Sequence, residues 1–105
     1  MNPISLSLFS RFGKNILIRS KMREFFQEIE SAKTEEVVLD FSNIEFISRS
    51  CADEYLSLKS SSSKVLKEKN VSYSVSEMIK EVRKSRENFF QVRVKGSQKP
   101  ALCYN

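Results

Sequence analysis

The stretch Val37–Leu58, VVLDFSNIEFISRSCADEYLSL, decides how this chain folds. Val37, Val38, Leu39 and Phe41 form a short apolar run broken only by Asp40. A β-branched and aromatic run of that length predicts a central strand buried on both faces. Ser42-Asn43 carries turn chemistry, because both side chains can hydrogen-bond the local backbone. Ile44, Phe46 and Ile47 are expected to continue the core. Ser48-Arg49-Ser50 then opens a helix, and Ser50 with Asp53 matches the [ST]-x-x-[DE] start signal. That match predicts Ser50 as the N-cap, a role worth about 1 kcal/mol.

Working outward, Ile4, Leu6 and Leu8 alternate with serines and predict an early strand with one buried face. Residues 11–15, RFGKN, predict a loop. Ile16-Leu17-Ile18 is either a small strand or the lead-in to a helix capped by Ser20. Met22, Phe25, Phe26 and Ile29 fall at i, i+3, i+4 and i+7, the signature of an amphipathic helix. That helix returning to a parallel strand makes an ordinary βαβ connection. After Ser50, Cys51, Ala52, Tyr55, Leu56 and Leu58 line the helix, with positions 51, 55, 58, 62 and 65 on one face; Ser60 to Ser63 either ends it or lets it pack closely. Residues 64–70 are charged and predicted to be an exposed helix end, with Asn70 as a possible C-cap. Val71, Tyr73 and Val75 alternate with serines and predict another strand. Ser74 and Glu77 repeat the start signal for a helix with Met78, Ile79, Val82 and Phe89 on one face. Phe90, Val92 and Val94 alternate with Gln91, Arg93 and Lys95, predicting an amphipathic C-terminal strand ended by Gly96. Residues 96–105 read as an irregular tail.

Composition narrows the chemistry. The chain has 105 residues, 40% of them hydrophobic, and a formal charge of +5, which fits one domain with a modest core. No apolar run approaches the roughly 20 residues of a membrane span, and the first residues make a poor signal peptide. Cys51 and Cys103 are too few and too distant for a disulfide framework, so a cytoplasmic setting is expected. There is no histidine, which removes Ser-His and Cys-His nucleophile pairs and the usual zinc ligands. With only Gly13 and Gly96 there is no Gly-rich phosphate loop. No catalytic residue, metal site or cofactor is expected. Asp40 reads as a loop-ordering side chain, and Cys51 as a small buried residue.

The residues VVLDFSNIEFISRSCADEYL resemble the central motif of the STAS superfamily, the fold of bacterial anti-sigma factor antagonists. Leu39-Asp40-Phe41 stands at the strand end, Phe46-Ile47 before the helix, and Ser48-Arg49-Ser50-Cys51 at the helix start. Within that superfamily the chain is most similar to the divergent STAS-like domain family of unknown function. Asp40-Phe41, Ile47-Ser48-Arg49-Ser50 and Ala52-Asp53-Glu54 carry this match. Ser48 stands where the antagonists have Asp, Arg49 where they have the first Ser, and Cys51 where they have Gly. The strong match covers about twenty residues; the element order fits the chain to about Asn88 more loosely.

The resemblance implies an α/β fold: a small mixed sheet of four or five strands with about three helices packed mainly on one face. It also implies a non-enzymatic regulatory module that docks a protein partner, a regulatory kinase or an anti-sigma-like factor. The serine phosphorylated in antagonists corresponds to Ser50, with Ser48, Arg49, Asp53 and Glu54 as partner contacts. A helix N-terminus accepts phosphate well, and Arg49 stands beside it. The alternative reading uses the basic second half, where Ser76 to Lys99 holds seven Lys/Arg against three Glu. Lys80, Arg83, Lys84, Arg93 and Lys95 would then contact nucleic-acid phosphates. The C-terminal strand offers an edge through which a homodimer could form.

Overall fold

The computed structural model describes residues 3–97, and side chains as far as Glu87. The fold is α/β, with five strands and four helices among the described residues. β1 (Ile4–Ser7) leads through the short helix α1 (Phe9–Phe12) and β2 (Asn15–Ile16) into α2 (Arg19–Ser31). β3 (Glu36–Asp40) and β4 (Phe46–Ile47) precede α3 (Arg49–Ser61). β5 (Val65–Lys69) and α4 (Tyr73–Ser97) complete the order.

The strands do not form one mixed sheet. β1, β3 and β5 make a three-stranded sheet with β3 in the centre, while β2 and β4 pair separately. Each of these pairings is parallel. The sheet is covered on one face, as its period-two pattern requires. Ile4, Val37 and Leu66 are level with one another, as are Leu6, Leu39 and Glu68. These point to the helices, and Val37 and Leu39 are fully buried. Ser5, Val38 and Lys67 point the other way, and Val38 is only half-buried. The expectation that β3 is buried on both faces is therefore corrected.

Met22, Phe25, Phe26 and Ile29 are all buried on α2, as their spacing predicts. Cys51, Ala52, Tyr55 and Leu56 are buried on α3. From α4, Val75, Ile79 and Val82 join the same core. Gly13 has φ of 74°, a left-handed conformation that glycine adopts without a Cβ penalty, and it closes the turn after α1. Loop reading over 11–15 holds only from Gly13 to Lys14.

Several boundaries differ from expectation. α2 starts at Arg19, with Ile18 rather than Ser20 at the cap position and no side-chain cap. The charged segment 64–70 is not a helix end: it contains β5, an outer strand whose Lys67 and Lys69 are exposed. Val71, Tyr73 and Val75 are not a strand. Ser72 Oγ accepts from Val75 N at 3.3 Å, and α4 begins at Tyr73. The C-terminal strand expected at 89–95 is also absent, because the backbone there continues α4 to Ser97. The edge-paired homodimer thus loses its strand. Residues 98–105, including most of the expected irregular tail, lie outside the described residues.

One-sided burial of β3 separates neighbouring substitutions. Leu39→Ala is expected to cost about 2–5 kcal/mol, and Val38→Ala about 1 kcal/mol or less. Urea unfolding of both variants checks this; equal losses would contradict an open outer face.

Candidate functional site

The helix start at Ser48 is built by the small second sheet. β2 and β4 place Ile16 beside Ile47, both buried, and each of these two-residue strands leads into a long helix. Ser48 N donates to Ile16 O at 2.9 Å, so the chain is still extended as it reaches the helix. Ser48 has φ −71° and ψ 159°, and its Oγ accepts from Cys51 N at 3.2 Å. Ser48 is therefore the N-cap, and the expected capping role of Ser50 is corrected. The first intrahelical bond runs from Ala52 N to Ser48 O, which leaves the Arg49 and Ser50 amides ahead of the ladder.

Ser50 lies in the first turn and is exposed, with its Oγ 3.4 Å from that of Ser48. Arg49 is exposed too, and its Nη2 donates to Ser85 Oγ on α4 over a long 3.4 Å. The two acidic candidates are engaged within the chain. Asp53 pairs with Arg86 at 3.2 Å, and Glu54 pairs with Arg23 at 3.3 Å with only 19% of its side chain exposed. These ties brace α3 against α4 and α2. Arg49 and Ser50 at the helix start remain presented to solvent, with Ser48 half-buried beside them.

An apolar rim that sequence reasoning missed adjoins this turn. Leu17 is 54% exposed, Ile18 51% and Phe46 43%. Phe46 was expected in the core, but a two-residue strand can bury only one of two neighbours, and Ile47 takes the inner position. Leu17 continues past Ile16 on the outer side, next to the Ser48 backbone. The signal was present in two runs, Ile16-Leu17-Ile18 and Phe46-Ile47: in extended backbone, adjacent apolar residues cannot all face inward.

Asp40 orders the loop that precedes β4. Its Oδ1 accepts from Ser42 Oγ at 2.7 Å, Ser42 N at 3.0 Å and Asn70 Nδ2 at 3.1 Å. The Ser42 hydroxyl bond, then Asn70 and the Ser42 amide, hold its carboxyl down at about 2. Asn43, the next turn residue, has φ of 69°. Ser74 Oγ on α4 donates to Glu45 O at 2.7 Å and closes the loop from the other side. Cys51 is buried, as expected of a small core residue. Among the described residues, no group of three or more Cys, Asp or Glu is placed to hold a metal ion.

The basic candidates do not form one stripe. Lys80 pairs with Glu77 at 3.4 Å, Arg83 faces a cleft toward α3, and Lys84 is exposed. Arg93 and Lys95 lie on the helical backbone of α4 rather than on a strand, and their side chains are outside the described residues. Among the described residues no helix is long and apolar enough to cross a membrane.

Two measurements check this geometry. Ser48→Ala is expected to destabilise by about 1 kcal/mol, and Ser50→Ala by less than about 0.5 kcal/mol, in thermal or urea unfolding; the reverse order would return the cap to Ser50. Because the Asp40 carboxyl is lowered on folding, its stabilisation is present above its ordinary value of 3.8 and is lost as pH falls toward about 2. The stability difference between wild type and Asp40→Ala is expected to shrink across that window.

Comparison with protein-family models, with curated proteins and with solved structures found no match to this chain.

Proposed function

We propose that this domain is a non-enzymatic regulatory module, STAS-like in kind, that docks a protein partner through the start of α3 and the adjoining apolar rim. Ser50 is its switch. The observation that carries this reading is the division of labour between two serines: Ser48 caps the helix, so the exposed Ser50 hydroxyl is free of that structural duty. A phosphate on Ser50 would meet the positive end of α3 and the Arg49 guanidinium, which among the described residues is held elsewhere only by a long bond to Ser85. Leu17, Ile18 and Phe46 supply apolar contact beside that charge change. A dianion at this point would repel an acidic partner surface or engage a basic one.

The STAS-like assignment draws support from the one-sided helical cover of the sheet and from the strand–turn–helix arrangement around Asp40 and Ser48. The partner class it implies is a regulatory kinase or an anti-sigma-like factor. Nucleic acid is the less favoured partner, because Lys80 and Arg83 are directed to different neighbours.

Affinity capture from the native cells with wild type, Ser50→Ala, Ser50→Asp and Phe46→Asp tests the proposal. The expected result is one protein retained by Ser50→Ala and lost with both Ser50→Asp and Phe46→Asp. Identical partners for all four would remove the switch and the rim together.

A further inference from the structure

Resting on Ser50 as the switch, we infer that Arg19 of α2 is the clamp for a phosphate on Ser50, so that modification ties the start of α3 to the start of α2. The two residues hold matching positions on neighbouring helices. On one side of them, Ile16 of β2 pairs with Ile47 of β4, and Ser48 N donates to Ile16 O at 2.9 Å. On the other side, Arg23 pairs with Glu54 at 3.3 Å, and the Phe26 and Tyr55 rings lie 5.9 Å apart. Arg19 stands one helical turn before Arg23, and Ser50 one turn before Glu54, so each shares the flank of the residue that follows it. Contacts at both ends thus bracket Arg19 and Ser50 along the seam between α2 and α3. The Arg23–Glu54 pair shows that an arginine on α2 spans this seam to an anion on α3.

The charges around the seam leave Arg19 for this role. Glu54 is matched by Arg23, and Asp53 by Arg86. Both acids within a turn of Ser50 are therefore already paired. Arg19 is exposed, and its side chain has no hydrogen-bond or ion-pair partner among the described residues. Lys21 lies on the opposite flank of α2, with Glu28, where Arg11 of α1 pairs with that carboxylate. Arg49 approaches Ser50 from the side of α4, where Ser85 Oγ accepts from its Nη2 at 3.4 Å.

A phosphate carries three strong acceptor oxygens and close to two negative charges, so it can engage a guanidinium from each side. Arg19 follows Ile18 directly, which sets the bridged phosphate against the apolar rim. The charge change is then felt by any surface seated on Leu17, Ile18 and Phe46, not by α3 alone.

Phosphoserine placed at position 50 of the full chain by codon reassignment tests the clamp through its phosphorus NMR titration. The second ionisation is expected below its ordinary value of about 6. Arg19→Gln is expected to raise it by about half a unit. Lys21→Gln removes the same charge from the other flank and is expected to leave the titration in place. Amide NMR spectra confirm that each variant is folded. The clamp is overturned by a titration indifferent to Arg19→Gln, or by one that moves as far with Lys21→Gln. Because the phosphate is installed directly, the titration does not depend on which partner the cells supply, so loss of the clamp and loss of the switch are read separately.

Discussion

Tyr55 is fully buried, and its hydroxyl donates to Glu68 on β5, so one side chain fixes α3 against the outer strand of the sheet. Its ring meets Phe26 of α2 and Phe41 at the end of β3, each edge to face with centroids 5.9 Å apart. Phe26 meets Phe25, and Phe25 meets Phe12 at the end of α1, in the same manner. Such contacts favour a ring edge against a ring face, which restricts how the helices can slide. Burial, with the Glu68 carboxylate beside it, pushes the Tyr55 hydroxyl well above its ordinary range, so it stays a donor. Burial also opposes the charge on Glu68, but Lys59, Tyr55 and the Arg83 charge outweigh it and hold the carboxyl below its usual range.

With α3 fixed in this way, the functional surface follows. Pairs from Arg86 to Asp53 and from Arg23 to Glu54 tie the middle of the helix to its neighbours. Pairs this open to solvent on at least one side contribute little stability, so their main effect is orientation. At the other end, Glu30 accepts from Ser62 and Ser63, while Lys64 Nζ donates to Ala32 O and Thr34 O. The helix is thus tied to its neighbours along its length, its first turn the most lightly, through the long Arg49–Ser85 bond alone among the described residues.

How far the sequence could be read depended on how many residues carried each pattern. α2 was legible because four residues agreed on one period and one apolar face, whereas β3 was legible as a strand from its apolar run but not in its one-sided burial. The region after α3 was misread because β5, VLKEK, is an outer strand with one uncovered face, so it needs few apolar residues. Its position then went to the alternation at Val71, Tyr73 and Val75, of which only Val75 is buried. The alternation from Phe90 to Val94 is equally short, and no helix breaker separates it from the rest of α4. At the site, two serines two residues apart competed for one cap. The Asp53 spacing favoured Ser50, whereas the extended backbone leaving Ile47 places the turn at Ser48.

β5 has a further meaning for the protein as a solute. Its neighbour β3 occupies one side, and its other edge, unpaired among the described residues, carries backbone groups that could recruit a strand from another molecule. Lys67 and Lys69 project from the uncovered face along that edge, and Lys67 pairs loosely with Glu36 at 3.7 Å. Two like charges in alternate positions make stacking of identical edges repulsive. Among the described residues the strand gives the core only Leu66 and the Glu68 contact with Tyr55, while its lysines oppose edge-to-edge growth of the sheet.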